Sequence, residues 1–296
     1  MKKYQLTLLS LCVAAFAQAK VTLPSFFTDN MVIQQNSQLT LPGKAKAGKQ
    51  VTVKVSWNYE KYTAKASADG HFSIEVPTPP AGGPFQITVS DGEKLVLNNV
   101  LSGEVWICSG QSNMEMPVAG WGKVMNYEQE VADADYPSIR LLQVKKTVAF
   151  SPQDNVEMNM NGWQECSSAT VPEFSSVAYF YARKLWKELN VPVGVIDCTW
   201  GGTPAESWTS HQTLKQVMGF QKKMAEMESA GFQREKLVEL YHQEMDEWLQ
   251  QFDARDAGFK DGVPQWISAL QTGNGWKPME LPAYWETRGL NFDGTV

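Results

Sequence analysis

The chain has 296 residues, 43% of them hydrophobic and 20% charged, which suits one large globular domain or two smaller ones. Its net charge of −6 argues against nucleic acid or an anionic membrane as the main partner. Eleven tryptophans leave two readings open, sugar-stacking platforms or ordinary core and interface packing.

Residues 1–19 read as a secretory signal. Lys2 and Lys3 form the positive region, Leu6 to Phe16 the apolar core, and Ala17-Gln18-Ala19 a small-x-small cleavage site. The apolar run is too short to span a bilayer comfortably, and no other segment could cross one. Export to the periplasm or the extracellular space is the expectation. The residue pattern before Cys12 lacks the small residue that lipidation needs, so release is expected rather than anchoring. Cys108, Cys166 and Cys198 then remain, an odd number and no disulfide framework. One disulfide with a free thiol stays open. The three histidines, His71, His211 and His242, have no metal-site spacing, so no structural zinc is expected.

Residues 20–100 read as an all-β sandwich module. Val51 to Val55 and Phe72 to Val76 alternate apolar and polar side chains, as do runs at Phe85 to Val89 and Lys94 to Leu97. Asp69-Gly70, Gly82-Gly83-Pro84 and Asp91-Gly92 supply the turns. From 101 the pattern becomes α/β. A strand over Glu104 to Cys108 leads to a glycine turn, and a helix over Ser175 to Leu189 shows an apolar face built on Val177, Phe180, Tyr181, Lys184, Leu185 and Trp186. Asn190 and Pro192 end that helix, and the strand Val193 to Cys198 comes at once. A continuous apolar strand after a helix predicts a parallel sheet. Residues 211–258 read as a helical insertion, with Leu237, Leu240, Tyr241, Met245, Trp248, Leu249 and Phe252 in one stripe and Gly231 between two helices.

Two turns carry the candidate chemistry. Gly110-Gln111-Ser112-Asn113-Met114 delivers a serine at the end of a strand, where a hydroxyl can act as a nucleophile given a base and an oxyanion site. It is not the G-x-S-x-G elbow, because Met114 holds the last position. Ser112-Asn113-Met114-Glu115 also matches a helix capping box, and the two readings are compatible. The second turn is Trp200-Gly201-Gly202-Thr203-Pro204-Ala205-Glu206. Thr203 reads as an N-cap with Pro204 at the first helical position, so the amides of Gly201 and Gly202 sit at a helix mouth, free to meet an anion. An ordinary tight strand–helix connection is the alternative.

Together these blocks, with Val191-Pro192-Val193-Gly194-Val195-Ile196 and the stretch through Ser207-Trp208-Thr209-Ser210, resemble the SGNH-type sialate O-acetylesterase family of carbohydrate esterases. The segment Leu23 to Gln35 resembles that family's N-terminal β module. The resemblance implies a flavodoxin-like three-layer SGNH hydrolase domain over 101–280, preceded by the β module. It implies an acetylated carbohydrate as substrate, Ser112 as nucleophile, and part of the oxyanion site from the amide of Ser112 with one from Gly201 or Gly202. It implies no metal and no organic cofactor. The family's third oxyanion donor, an Asn in a Gly-Glu-Ser-Asn-like block, has no match after Ser210. Its late His base and orienting Asp have none either. Residues 281–296 resemble the start of an inserted β domain, so the chain is expected to be an N-terminal part of a longer, weakly active or inactive esterase. Two other readings remain: a non-catalytic glycan-binding protein on a decayed hydrolase fold, and an SGNH hydrolase of lipid or other esters.

Overall fold

The computed structural model describes residues 20–255, 259–260, 263–264 and 279–289. The expected signal segment lies outside them, as do residues 290–296 and the side chain of Phe252. The chain forms two compact units, Met1–Leu214 and Lys215–Val296.

In the first unit, β1 (Val32–Gln34), β2 (Gln38–Lys44), β3 (Gln50–Val55), β4 (Lys61–Lys65), β5 (His71–Pro77) and β6 (Gly82–Ser90) precede a 17-residue strand, β7 (Lys94–Gly110). β2 pairs antiparallel with β5, and facing them lies an antiparallel β4-β3-β6-β7 sheet with β1 added parallel to β7. The period-two pattern explains the packing. Phe72, Ile74 and Val76 of β5 point inward while His71, Ser73 and Glu75 face out. Leu41, Val51, Val53, Ile87 and Val89 close the core between the sheets.

β7 does not stop where the sandwich stops. Its second half pairs parallel with β10 (Val193–Thr199), from Val193 opposite Glu104 to Thr199 opposite Gly110. β10 pairs parallel with β8 (Asp135–Gln143), which pairs antiparallel with β9 (Gln164–Ser167). The α/β class with a small β module ahead of it is therefore present. The expected module boundary at residue 100 falls inside one continuous strand, because the sandwich's last strand and the first strand of the parallel sheet are the same element. At the changeover, Glu104 donates its N–H to the carbonyl of Pro192 at 2.9 Å. A Cβ on Gly103 would lie 2.0 Å from that same oxygen, so no side chain fits there. Among the described residues, β10 is the sole strand partner of β7 beyond Glu104, and Ile107 is 71% exposed.

Two short helices, α1 (Ser112–Glu115) and α2 (Tyr127–Ala132), come after β7. α3 (Ser176–Leu189) then packs on the sheet. The Ser175 hydroxyl caps it by accepting from the Ala178 amide, and Asn190 ends it at φ 52°, the left-handed terminator the sequence announces. Its buried face differs from the expected stripe. Ala178, Tyr179 and Ala182 are buried, while Val177 and Tyr181 are exposed. Two alanines one turn apart let the helix backbone approach the sheet, so close approach outweighs bulk in choosing the face. α4 (His211–Leu214) is one turn and closes this unit.

The second unit holds α5 (Gln221–Ser229), then Gly231 at φ 61°, then the 22-residue α6 (Arg234–Arg255). It also contains a two-residue hairpin, β11 (Phe259–Lys260) with β12 (Val263–Pro264), and a 3₁₀ turn at Trp285–Arg288. The α6 stripe is not core: Leu240, Tyr241 and Leu249 are exposed. Among the described residues, no helix is long and apolar enough to cross a membrane.

Candidate active site

Ser112 stands where β7 ends. Gly110 takes φ +152°, a conformation side chains rarely adopt, and the chain turns there into the single turn of α1. Gln111, Ser112 and Asn113 are all exposed. α1 is held from beneath by α3, since the Ser175 hydroxyl donates to the Met114 carbonyl at 2.6 Å and the Ser176 amide to the Met116 carbonyl at 2.8 Å.

The second turn lies against the first. Trp200 donates its amide to the Gly110 carbonyl at 3.0 Å, and the Gln111 side-chain amide donates to the Thr203 carbonyl at 3.0 Å. The Gly201 amide donates to Oε2 of Glu115. A Cβ on Gly201 would sit 3.5 Å from both Cα and Cβ of Ser112. Parallel pairing of β7 with β10 produces this juxtaposition, because both strands end at the same level with Thr199 opposite Gly110. Ligand sites of open α/β sheets lie at such carboxyl ends.

Several expected details are corrected. No capping box forms at Ser112: the residue before α1 is Gln111, without a side-chain cap, and Glu115 reaches across to Gly201 instead of back. Thr203 is not an N-cap. Its hydroxyl donates to the Trp200 carbonyl at 2.7 Å and accepts from the Trp208 indole at 2.8 Å. The chain continues into a single 3₁₀ turn, Ala205–Trp208, too short to supply an appreciable helix dipole. Of the two glycine amides, either of which is expected to join that of Ser112 at an anion, Gly201's is already bonded to a carboxylate. Gly202, at φ +77°, is exposed, and among the described residues its amide makes no hydrogen bond.

Glu115 is the residue that motif reading misassigns. Its other oxygen takes the Lys146 ammonium. Burial alone would raise its carboxyl, but the Lys146 hydrogen bond, the Gly201 amide and the Lys146 charge together hold it below the usual range. Glu115 and Lys146 line a cavity of about 240 Å³ with Trp121, Gln143, Glu173 and Thr199. Below lies Asp197, 1% exposed, whose carboxylate accepts from Thr199 Oγ1 at 2.7 Å and Gln143 Nε2 at 3.0 Å. Burial raises its pKa, against these two bonds. No spacing signal marks Gln143, Lys146 or Asp197, because the first two come from the end of β8 and just beyond it, and the third from neighbouring β10.

The thiols are not competing nucleophiles. Cys108, Cys166 and Cys198 are all free. Burial, then the Asp197 charge, pushes Cys108 up to about 11, and burial takes Cys166 to about 12. The histidines are scattered. His71 bonds Asp69 at 2.9 Å on the surface of the sandwich, His211 opens α4, and His242 lies on α6 in the second unit. Among the described residues, Ser112 Oγ makes no hydrogen bond, and no group of three His, Cys, Asp or Glu is placed to hold a metal.

Comparison with known proteins gives this arrangement its context. The family model described as carbohydrate esterase, sialic acid-specific acetylesterase, matches residues 102–281. Sialate O-acetylesterases of Pongo abelii and Homo sapiens are 34% and 33% identical over 209 residues, 64% of this chain and 39% of each relative. A solved carbohydrate acetylesterase from Xanthomonas citri has 32% identity and a TM-score of 0.61, covering 66% of this chain and 43% of that one. The chain thus spans about two fifths of the length of the relatives it matches. With a match over more than half of its residues, this chain belongs to the sialic acid-specific acetylesterase family of carbohydrate esterases.

Proposed function

We propose that this chain carries the nucleophile and part of the oxyanion site of a carbohydrate O-acetylesterase. The observation that supports this best is the exposed Ser112 held against the glycine turn by three cross-loop hydrogen bonds. Ser112 Oγ attacks the acetyl carbonyl, and the Ser112 and Gly202 amides receive the negative oxygen. Loss of one such donor typically costs about 2.7–4 kcal/mol of transition-state stabilisation. The sugar oxygen then leaves with the serine's proton, and water releases acetate from the acetyl-serine. The substrate is an acetylated glycan, and residues 1–19 direct the chain out of the cytoplasm, to the periplasm or beyond.

General-base help is commonly worth about 10²–10⁴-fold, and no histidine hydrogen-bonds to Ser112 Oγ among the described residues. Slow hydrolysis of p-nitrophenyl acetate is therefore expected, abolished in Ser112→Ala, with slow fluorophosphonate labelling at Ser112. Equal rates in the wild type and the alanine variant would overturn the assignment. The same unpartnered hydroxyl favours a second reading, a glycan-binding protein that does no chemistry. Saturable oligosaccharide binding with no labelling of Ser112 would select it.

A further inference from the structure

Glu115 lies three residues after Ser112 on the same helical turn, and its side chain is 13% exposed. Both carboxylate oxygens are used, one by the Gly201 amide and the other by Lys146. The two turns lie in contact: a methyl group on Gly201 would come 2.7 Å from Glu115 Oε2 and 3.5 Å from the Ser112 backbone carbon. Gly202, the next residue, has nothing within 4 Å of the place a Cβ would take. One glycine is therefore fastened and its neighbour is exposed.

We propose that Glu115 is a positioning residue that fastens the Gly201 amide to the serine turn, so that the amides of Ser112 and Gly202, and not Gly201, face the reacting carbonyl. The fastening itself does not depend on Ser112 being a nucleophile; the assignment of donors does. A carboxylate is suited to the task because an amide bond to an ionised acceptor is stronger than a neutral one. Lys146 keeps that acceptor ionised against burial, and the groups that face it are Asp197 of β10, whose pKa burial and then the Glu115 charge push up, and Glu173 in the lining of the same cavity. A glutamate left without its cation would tend to protonate and release the turn. Because burial is outweighed by the lysine and the amide, Glu115 titrates below the ordinary carboxyl range. The fastening is then fully present above that range and is lost as pH falls through the lowered value.

The test is amide exchange in the full ¹⁵N-labelled chain, which needs no catalysis. The Gly201 amide should exchange about tenfold or more slowly than Gly202 and resonate downfield of it. Both differences should vanish in Glu115→Ala. Glu115→Gln keeps only a neutral acceptor oxygen, so protection at Gly201 should fall between wild type and Glu115→Ala and show no acid step. If the alanine variant fails to fold, Lys146→Met serves: the acid step at Gly201 should move to higher pH. Gly201 exchanging as fast as Gly202 in the wild type, or an acid step unmoved in Lys146→Met, would overturn the proposal. Protection at Gly201 without any Ser112 labelling would leave the fastening intact and defeat the esterase reading alone.

Discussion

Arg140 is 3% exposed, yet its guanidinium has several partners. It donates to the carbonyls of Pro137 at 2.8 Å and Asn30 at 3.2 Å and pairs with Glu165 at 3.2 Å. Asn30 belongs to the sandwich and Arg140 to the parallel sheet, so this one side chain joins the two. Burial lowers the arginine's pKa, partly countered by Glu165, but an arginine so partnered stays charged. Arg140→Met should cost about 1–3 kcal/mol, mainly by orphaning the two carbonyls, because Glu165 is half exposed and can find water. Denaturant unfolding measures it. Cys108 and Cys166, buried and with raised pKa values, should resist iodoacetamide at neutral pH in the folded chain and react once it unfolds.

At the scale of elements, strands and caps with strong local signals are readable from sequence. β3 and β5 alternate as their residues dictate, and Asn190 ends α3 as expected. The two glycine turns are legible too, because strand ends leading into glycines announce turns, and parallel pairing of β7 with β10 brings them side by side. Local pattern does not reveal partnership across the sheet. Glu115 fits a capping box by spacing, yet its carboxylate takes the Gly201 amide, which arrives from 86 residues away. Thr203 likewise turns to the Trp208 indole. The face of α3 escapes periodicity because hydrophobicity favours Val177 and Tyr181, whereas the sheet accepts the alanines. Gly103 tests the same principle. A Cβ there meets the Pro192 carbonyl, so Gly103→Ala forces a backbone shift and should cost about 1–3 kcal/mol or more. The melting temperature compared with wild type would reveal it, and an unchanged value would mean the changeover has slack.

Among the described residues, the parallel sheet is lopsided. From Glu104 onward β7 has β10 on one side, and Ile107 stands out from the sheet with Trp106 and Val177 also exposed. An apolar strand edge of this kind invites pairing with another chain. Ile107→Lys should reduce self-association in sedimentation experiments while leaving the melting temperature nearly unchanged. The length of β7 has a hereditary consequence as well. The family match begins at Ser102, partway along a strand whose first residues complete the sandwich. Recombination that grafted a foreign sandwich upstream of residue 102 would sever a single beam, and the same break would unseat Ser112. The two parts share one strand, so an exchange of sandwiches is expected to succeed only when Lys94 through Gly110 travels as one piece.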